Sequence, residues 1–224
     1  MKFNLEKARS LLRISLATVL VGFFLESLFP QISSHRYFYE RFRVENPQGV
    51  YINPTTKHYR FKRRAMEKVT NYDYRKHSVE GLVKFIDTPK EAQIFCEHVL
   101  RRDRAPRGFR LQEVFYLRFS EIIKGDEYGC GQATIVSANL LRDNGFPAYG
   151  LILFDKNNRE DHLVYAYMSD QREWGSVGIN TQDFVPPIAK TVDELIMIIS
   201  KQMKVDYKRG ILVDLDRMMP NNYK

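Results

Sequence analysis

Cys130 sits between two glycines in Tyr128-Gly129-Cys130-Gly131-Gln132-Ala133, and His162 follows in Asp161-His162-Leu163-Val164-Tyr165-Ala166-Tyr167. A thiol attacks carbonyls as its thiolate, and a helix amino terminus and a neighbouring imidazole each favour that form. The run from Ala133 to Leu141 predicts a helix that opens at Cys130 and breaks at Gly145, before Pro147. Flanking glycines let backbone amides approach a substrate closely, which makes the Cys130 amide a candidate oxyanion donor. Tyr128 and Gln132 are candidate side-chain donors beside it. The chemistry these types support is acyl transfer through a thioester, against the plainer role of a small core cysteine.

The elements that must bring the two groups together follow from local pattern. Residues 148–154 are apolar throughout, as in a strand covered on both faces. Asp155-Lys156-Asn157-Asn158-Arg159 is a polar turn, and the next strand puts His162, Val164, Ala166 and Met168 on one side. Ser169 to Glu173 turns into a strand at Trp174, so a three-stranded antiparallel meander is expected against the Cys130 helix. Alternation carried past Trp174 aligns Ser176, Gly178 and Asn180, which nominates Asn180 to orient the imidazole. Asp183 is a looser candidate, and the competing role for Asn180 is to end the strand at a turn.

From about Asp87 to Phe184 the chain resembles the transglutaminase-like superfamily, a branch of papain-like cysteine enzymes. The residues that carry the resemblance are Cys130 at a helix start, Leu140-Leu141 to Gly145-Phe146-Pro147-Ala148 at the helix exit, His162 on the next hairpin, and Trp174. The resemblance implies a papain-like fold with Cys130 as nucleophile, His162 as base, and peptide or amide substrates. The family's usual aspartate after the tryptophan falls on Gly178 here. That departure keeps a second reading open, a catalytically silent interaction module.

Around this segment, Asp87 or Thr88 caps a helix with Pro89 in its first turn, and Cys96 lies inside it as a buried structural thiol. Residues 111–123 read as a second helix. Pro186 and Pro187 close the sheet region, Thr191-Val192-Asp193-Glu194 opens an apolar helix, and residues 205–215 add a short strand or helix.

With 224 residues and 44% hydrophobic content, there is material for one domain and an extra segment. Two cysteines are too few for a disulfide scaffold or a four-thiolate metal site, and the scattered histidines form no HExxH pair, so no metal or other cofactor is implied. The net charge of +8 favours anionic surfaces. Basic residues at 2, 7, 9 and 13 precede the apolar run of residues 14–25, the form of a signal anchor or a cleaved signal peptide. The basic, aromatic stretch that follows suits anionic lipid headgroups, and no nucleic-acid motif accompanies it. Both flanks of the apolar run are basic, so neither side of a membrane is selected.

The expectation is therefore an α+β chain with a membrane segment at 1–30, a juxtamembrane region at 31–80, and a transglutaminase-like domain at 81–224. In that domain helices pack on a small antiparallel sheet, and Cys130, His162 and Asn180 act as a peptidase, amidase or transamidase site.

Overall fold

The computed structural model describes residues 39–50, 62–102, 104–106, 118–157 and 160–218. The expected membrane segment lies outside these residues; among those described, no helix is long and apolar enough to cross a membrane. The chain divides into Met1–Arg41 and Phe42–Lys224, and every element below belongs to the second unit. That unit takes in much of the expected juxtamembrane stretch. The Val44 amide donates to Leu212 O at 3.0 Å and the Val50 amide to Met168 O at 2.8 Å. Helix α1, Lys62–Thr70, packs on the helices that follow, and Lys68 Nζ meets Glu91 at 2.7 Å.

The fold is α+β. After α2, Val79–Phe85, helix α3, Pro89–Ile94, starts as its sequence dictates: the Thr88 hydroxyl accepts from the Glu91 amide at 3.2 Å and Pro89 occupies the first turn. It continues into a π-helical segment, Phe95–Leu100. Helix α4, Phe119–Lys124, begins after an extended Arg118 and falls at the end of the helix expected over 111–123, whose residues 111–117 lie outside the described residues. A short parallel bridge joins β1, Ala105–Pro106, to β2, Glu127–Tyr128, and delivers the chain to α5, Cys130–Arg142.

Every residue of α5 from Cys130 to Leu141 is buried. Such a helix must be enclosed on all sides. The strand β4, Glu160–Met168, covers one side, and α2, α3, the π segment and α4 cover the others. It ends as expected: Gly145 takes φ +83°, and the Phe146 amide closes back on Leu141 O at 3.2 Å.

The sheet has five antiparallel strands in the order β6-β5-β4-β3-β7. The expected meander is its centre: β3, Tyr149–Phe154, β4, Glu160–Met168, and β5, Trp174–Val177. Two outer strands were not anticipated as such. Pro186 and Pro187 do not close the sheet but lie within β6, Val185–Ala189, because an edge strand pairs on one side only and spares prolines their missing donor. At the other edge β7, Arg209–Asp214, pairs along β3 and resolves the expected strand-or-helix at 205–215 as a strand, with α7, Leu215–Met218, after it. Between them α6, Val192–Met203, capped by Thr191, lays Leu195, Ile196 and Ile199 against Leu151, Val164, Ala166, Met168 and Trp174.

Candidate active site

The amino terminus of α5 is capped by Gly129, and no side chain caps it. The first bond of the helical ladder runs from the Ala133 amide to Gly129 O at 3.0 Å, so the amides of Cys130, Gly131 and Gln132 precede it. Cys130 is buried at this positive end of the helix. The Thr134 hydroxyl spans 3.0 Å to Cys130 O and 3.2 Å to Leu163 O, which ties the turn carrying the thiol to the strand carrying the imidazole. A helical threonine commonly bonds back to a carbonyl one turn earlier; only the fold supplies the second acceptor.

His162 stands near the start of β4, 5% exposed. Its Nε2 lies 2.8 Å from Asp183 Oδ1, and the carboxylate is fully buried. Tyr207, from the link between α6 and β7, stacks on the ring at 12° with centroids 6.3 Å apart. Burial alone depresses the imidazole pKa, but hydrogen bonds to Asp183 and then to Cys130, with the charges of both, outweigh it and push it up to about 10. With Nε2 given to the carboxylate, Nδ1 is the nitrogen left for the thiol. Burial, joined by the charges of Asp161, Asp183 and Cys130, also raises the Tyr207 phenol.

Asn180 does not stand behind the imidazole. Its side-chain oxygen accepts from Arg101 Nη1 at 2.5 Å, and its backbone amide donates to Asp183 Oδ2 at 2.9 Å. The expected alternation fails because β5 ends at Val177 and the chain then folds into a 3-10 turn, Thr181–Asp183, capped by Asn180. That turn sends Asp183 back toward β5, where the Ser176 hydroxyl donates to Asp183 O at 2.6 Å. The carboxylate then occupies the space a side chain at 178 would need: a Cβ on Gly178 would fall 2.5 Å from Asp183 Cβ and 2.6 Å from Oδ2. Gly178 and Asp183 are thus coupled in space: the volume a side chain at 178 would fill is taken by the Asp183 carboxylate.

Gln93 of α3 also reaches this loop, accepting from the Gly178 amide at 2.9 Å and donating to Asn180 O at 2.8 Å. Nothing in its local sequence marked it. Tyr128 packs beneath the Arg104 guanidinium at 5.7 Å, and Gln132 is buried without a hydrogen bond among the described residues. Cys96 is fully buried with its sulfur 3.6 Å from Ser137 Oγ, and burial pushes its thiol up to about 11. Among the described residues no group of His, Cys, Asp and Glu is arranged to hold a metal ion. A cavity of about 480 Å3 between Tyr74, Arg104 and Lys124 is lined by none of Cys130, His162 or Asp183.

No family model matches the chain, and no curated protein matches it.

Proposed function

We propose that this domain is a transglutaminase-like, papain-like cysteine hydrolase that works by thiol acyl transfer with Cys130, His162 and Asp183. The observation that carries the reading is the buried His162 imidazole bonded at 2.8 Å to a buried carboxylate, with Asp183 and Cys130 together pushing its pKa up to about 10. Asp183 stabilises the cationic form of the imidazole, the form that results when it takes up the thiol's proton.

The Cys130 thiolate attacks an amide or ester carbonyl, and the oxyanion forms against the uncapped amides that open α5. As the carbon–nitrogen bond breaks, the imidazolium gives its proton to the leaving amine, and a thioester remains on Cys130. Water then attacks the thioester, the neutral imidazole takes a proton from it, and the acid leaves as the thiol is restored. An amine in place of water would give transamidation; water is the simpler acceptor. A silent interaction module loses its main support, because Asp183 supplies the carboxylate whose absence at Gly178 suggested lost chemistry. The reading places the domain behind an amino-terminal membrane segment, on the strength of the apolar run after four basic residues.

Iodoacetamide labelling of the full chain, resolved by peptide mass, tests the thiolate. At pH 6 Cys130 should react at least about tenfold faster than Cys96, whose thiol burial pushes up to about 11. Equal rates at the two cysteines would overturn the assignment.

A further inference from the structure

We propose that Gln93 is a positioning residue for this site, clasping the loop on which Asp183 returns to His162. The inference rests on the triad reading above and adds the element that holds its third member.

Asp183 lies beyond the end of β5, on a loop that has left the sheet's hydrogen-bond ladder at Val177. A carboxylate so placed needs its backbone held from elsewhere to stay within 2.8 Å of a ring nitrogen. Ser176 of β5 holds the Asp183 carbonyl, and the loop before it is held by one side of the helical run through α3 and the π segment, at residues four apart. Gln93 binds the Gly178 amide and the Asn180 carbonyl, Glu97 accepts from the Thr181 hydroxyl, and Arg101 donates to the Asn180 side chain. Of the three, Gln93 is the buried one, at 5% exposure. A buried primary amide is costly unless both its ends are bonded, and here the oxygen goes to Gly178 and the nitrogen to Asn180 at 2.8 Å, with Glu97 a longer second acceptor at 3.4 Å.

The chain of bonds leads directly to the carboxylate. Gln93 fixes the Asn180 carbonyl, and the Asn180 amide donates to Asp183 Oδ2, leaving Oδ1 for His162. Gln93 also fixes Gly178, whose missing side chain makes room for Asp183. Loss of the clasp frees both walls of the slot that aims the carboxylate. The π-helical widening begins directly after Gln93 and Ile94, the kind of irregularity that collects at functional sites.

The experiment compares the full chain with Gln93→Met, which keeps the length and loses every hydrogen bond, and Gln93→Glu, which keeps the acceptor for Gly178 but loses the donor to Asn180. Imidazole NMR gives the His162 titration midpoint, and iodoacetamide labelling gives the Cys130 rate against pH with Cys96 as internal control. Gln93→Met should lower the His162 midpoint by about one unit or more, and Gln93→Glu by less. The Cys130 rate at pH 6 should fall in the same order. An unchanged His162 midpoint in Gln93→Met, with only the melting temperature lowered, would make Gln93 a structural amide and overturn the proposal. Should Gln93→Met fail to fold, Gln93→Glu decides by the same midpoint. Equal labelling of Cys130 and Cys96 in the unsubstituted chain would instead defeat the thiol reading, while the His162 midpoint would still report on the clasp.

Discussion

Asp183 and Asn180 are three positions apart and contribute to the site in opposite ways, one through its side chain and the other through its backbone. Asp183→Asn keeps the shape but removes the charge that holds the imidazolium, so the Cys130 labelling rate at pH 6 should fall by about tenfold or more. Asn180→Ala removes an oxygen that accepts from the exposed Arg101, while the amide serving Asp183 remains. It should cost no more than about 1 kcal/mol in denaturant melts and leave labelling within about twofold. A large loss of Cys130 reactivity in Asn180→Ala would contradict this division of labour. The raised His162 pKa also predicts a pH dependence of stability. A group whose folded pKa of about 10 exceeds its unfolded value of about 6.5 stabilises fully below the lower value and loses that contribution as pH rises to the upper one. The stability gap between the chain and its His162→Gln variant should therefore be widest below about pH 6.5 and shrink toward pH 10. A gap that widens with pH in urea melts would reverse the sign and refute the assignment.

Among the elements, those with strong local signals formed where their residues indicated. Thr88 and Thr191 cap α3 and α6, Gly145 ends α5, and the wholly apolar 149–154 segment is a strand buried on both faces. Two glycines test two kinds of constraint. Gly145→Ala meets nothing within 4 Å of its new Cβ, so its penalty is the left-handed backbone alone, about 1–2 kcal/mol. Gly178→Ala meets the Asp183 side chain at 2.5 Å, an overpacking worth about 1–3 kcal/mol. Relief of that clash pushes Asp183 off His162. Gly178→Ala should therefore lower both the melting temperature and the Cys130 labelling rate, whereas Gly145→Ala should lower only the first. Unaltered Cys130 labelling in a folded Gly178→Ala protein would mean that Asp183 does not set the thiol's reactivity.

Across the whole molecule, the sheet serves as a frame on which distant segments meet: α5 brings the thiol, β4 the imidazole, the turn after β5 the carboxylate, and α3 the clasp. Residues near Val44 and Val50 are stitched to β7 and to the end of β4, so the domain begins well before residue 81. Removing residues 1–30 should release the protein from carbonate-washed membranes without changing the melting transition of the Phe42–Lys224 unit. A full-length chain that stays in the soluble fraction would rule out the anchor.

The helix that opens at Cys130 and the strand that carries His162 were legible in the sequence because each has a local cause. Glycines flank the thiol, a glycine and a proline stop the helix, and apolar alternation places the histidine on a strand. The third group was not, because alternation is reliable only while the chain stays in the sheet, and β5 ends at Val177. Past that point the path depends on bonds to residues more than eighty positions away, such as Gln93 with Gly178 and Asn180, which no local pattern encodes. The prolines of β6 are a second case: they read as breakers until the sheet order puts them on an edge, where nothing requires their missing donors. Local chemistry determined which residues could react, and only the tertiary structure decided that Asp183, and not Asn180, would stand behind His162, because its carboxylate fills the space left by the absent side chain of Gly178.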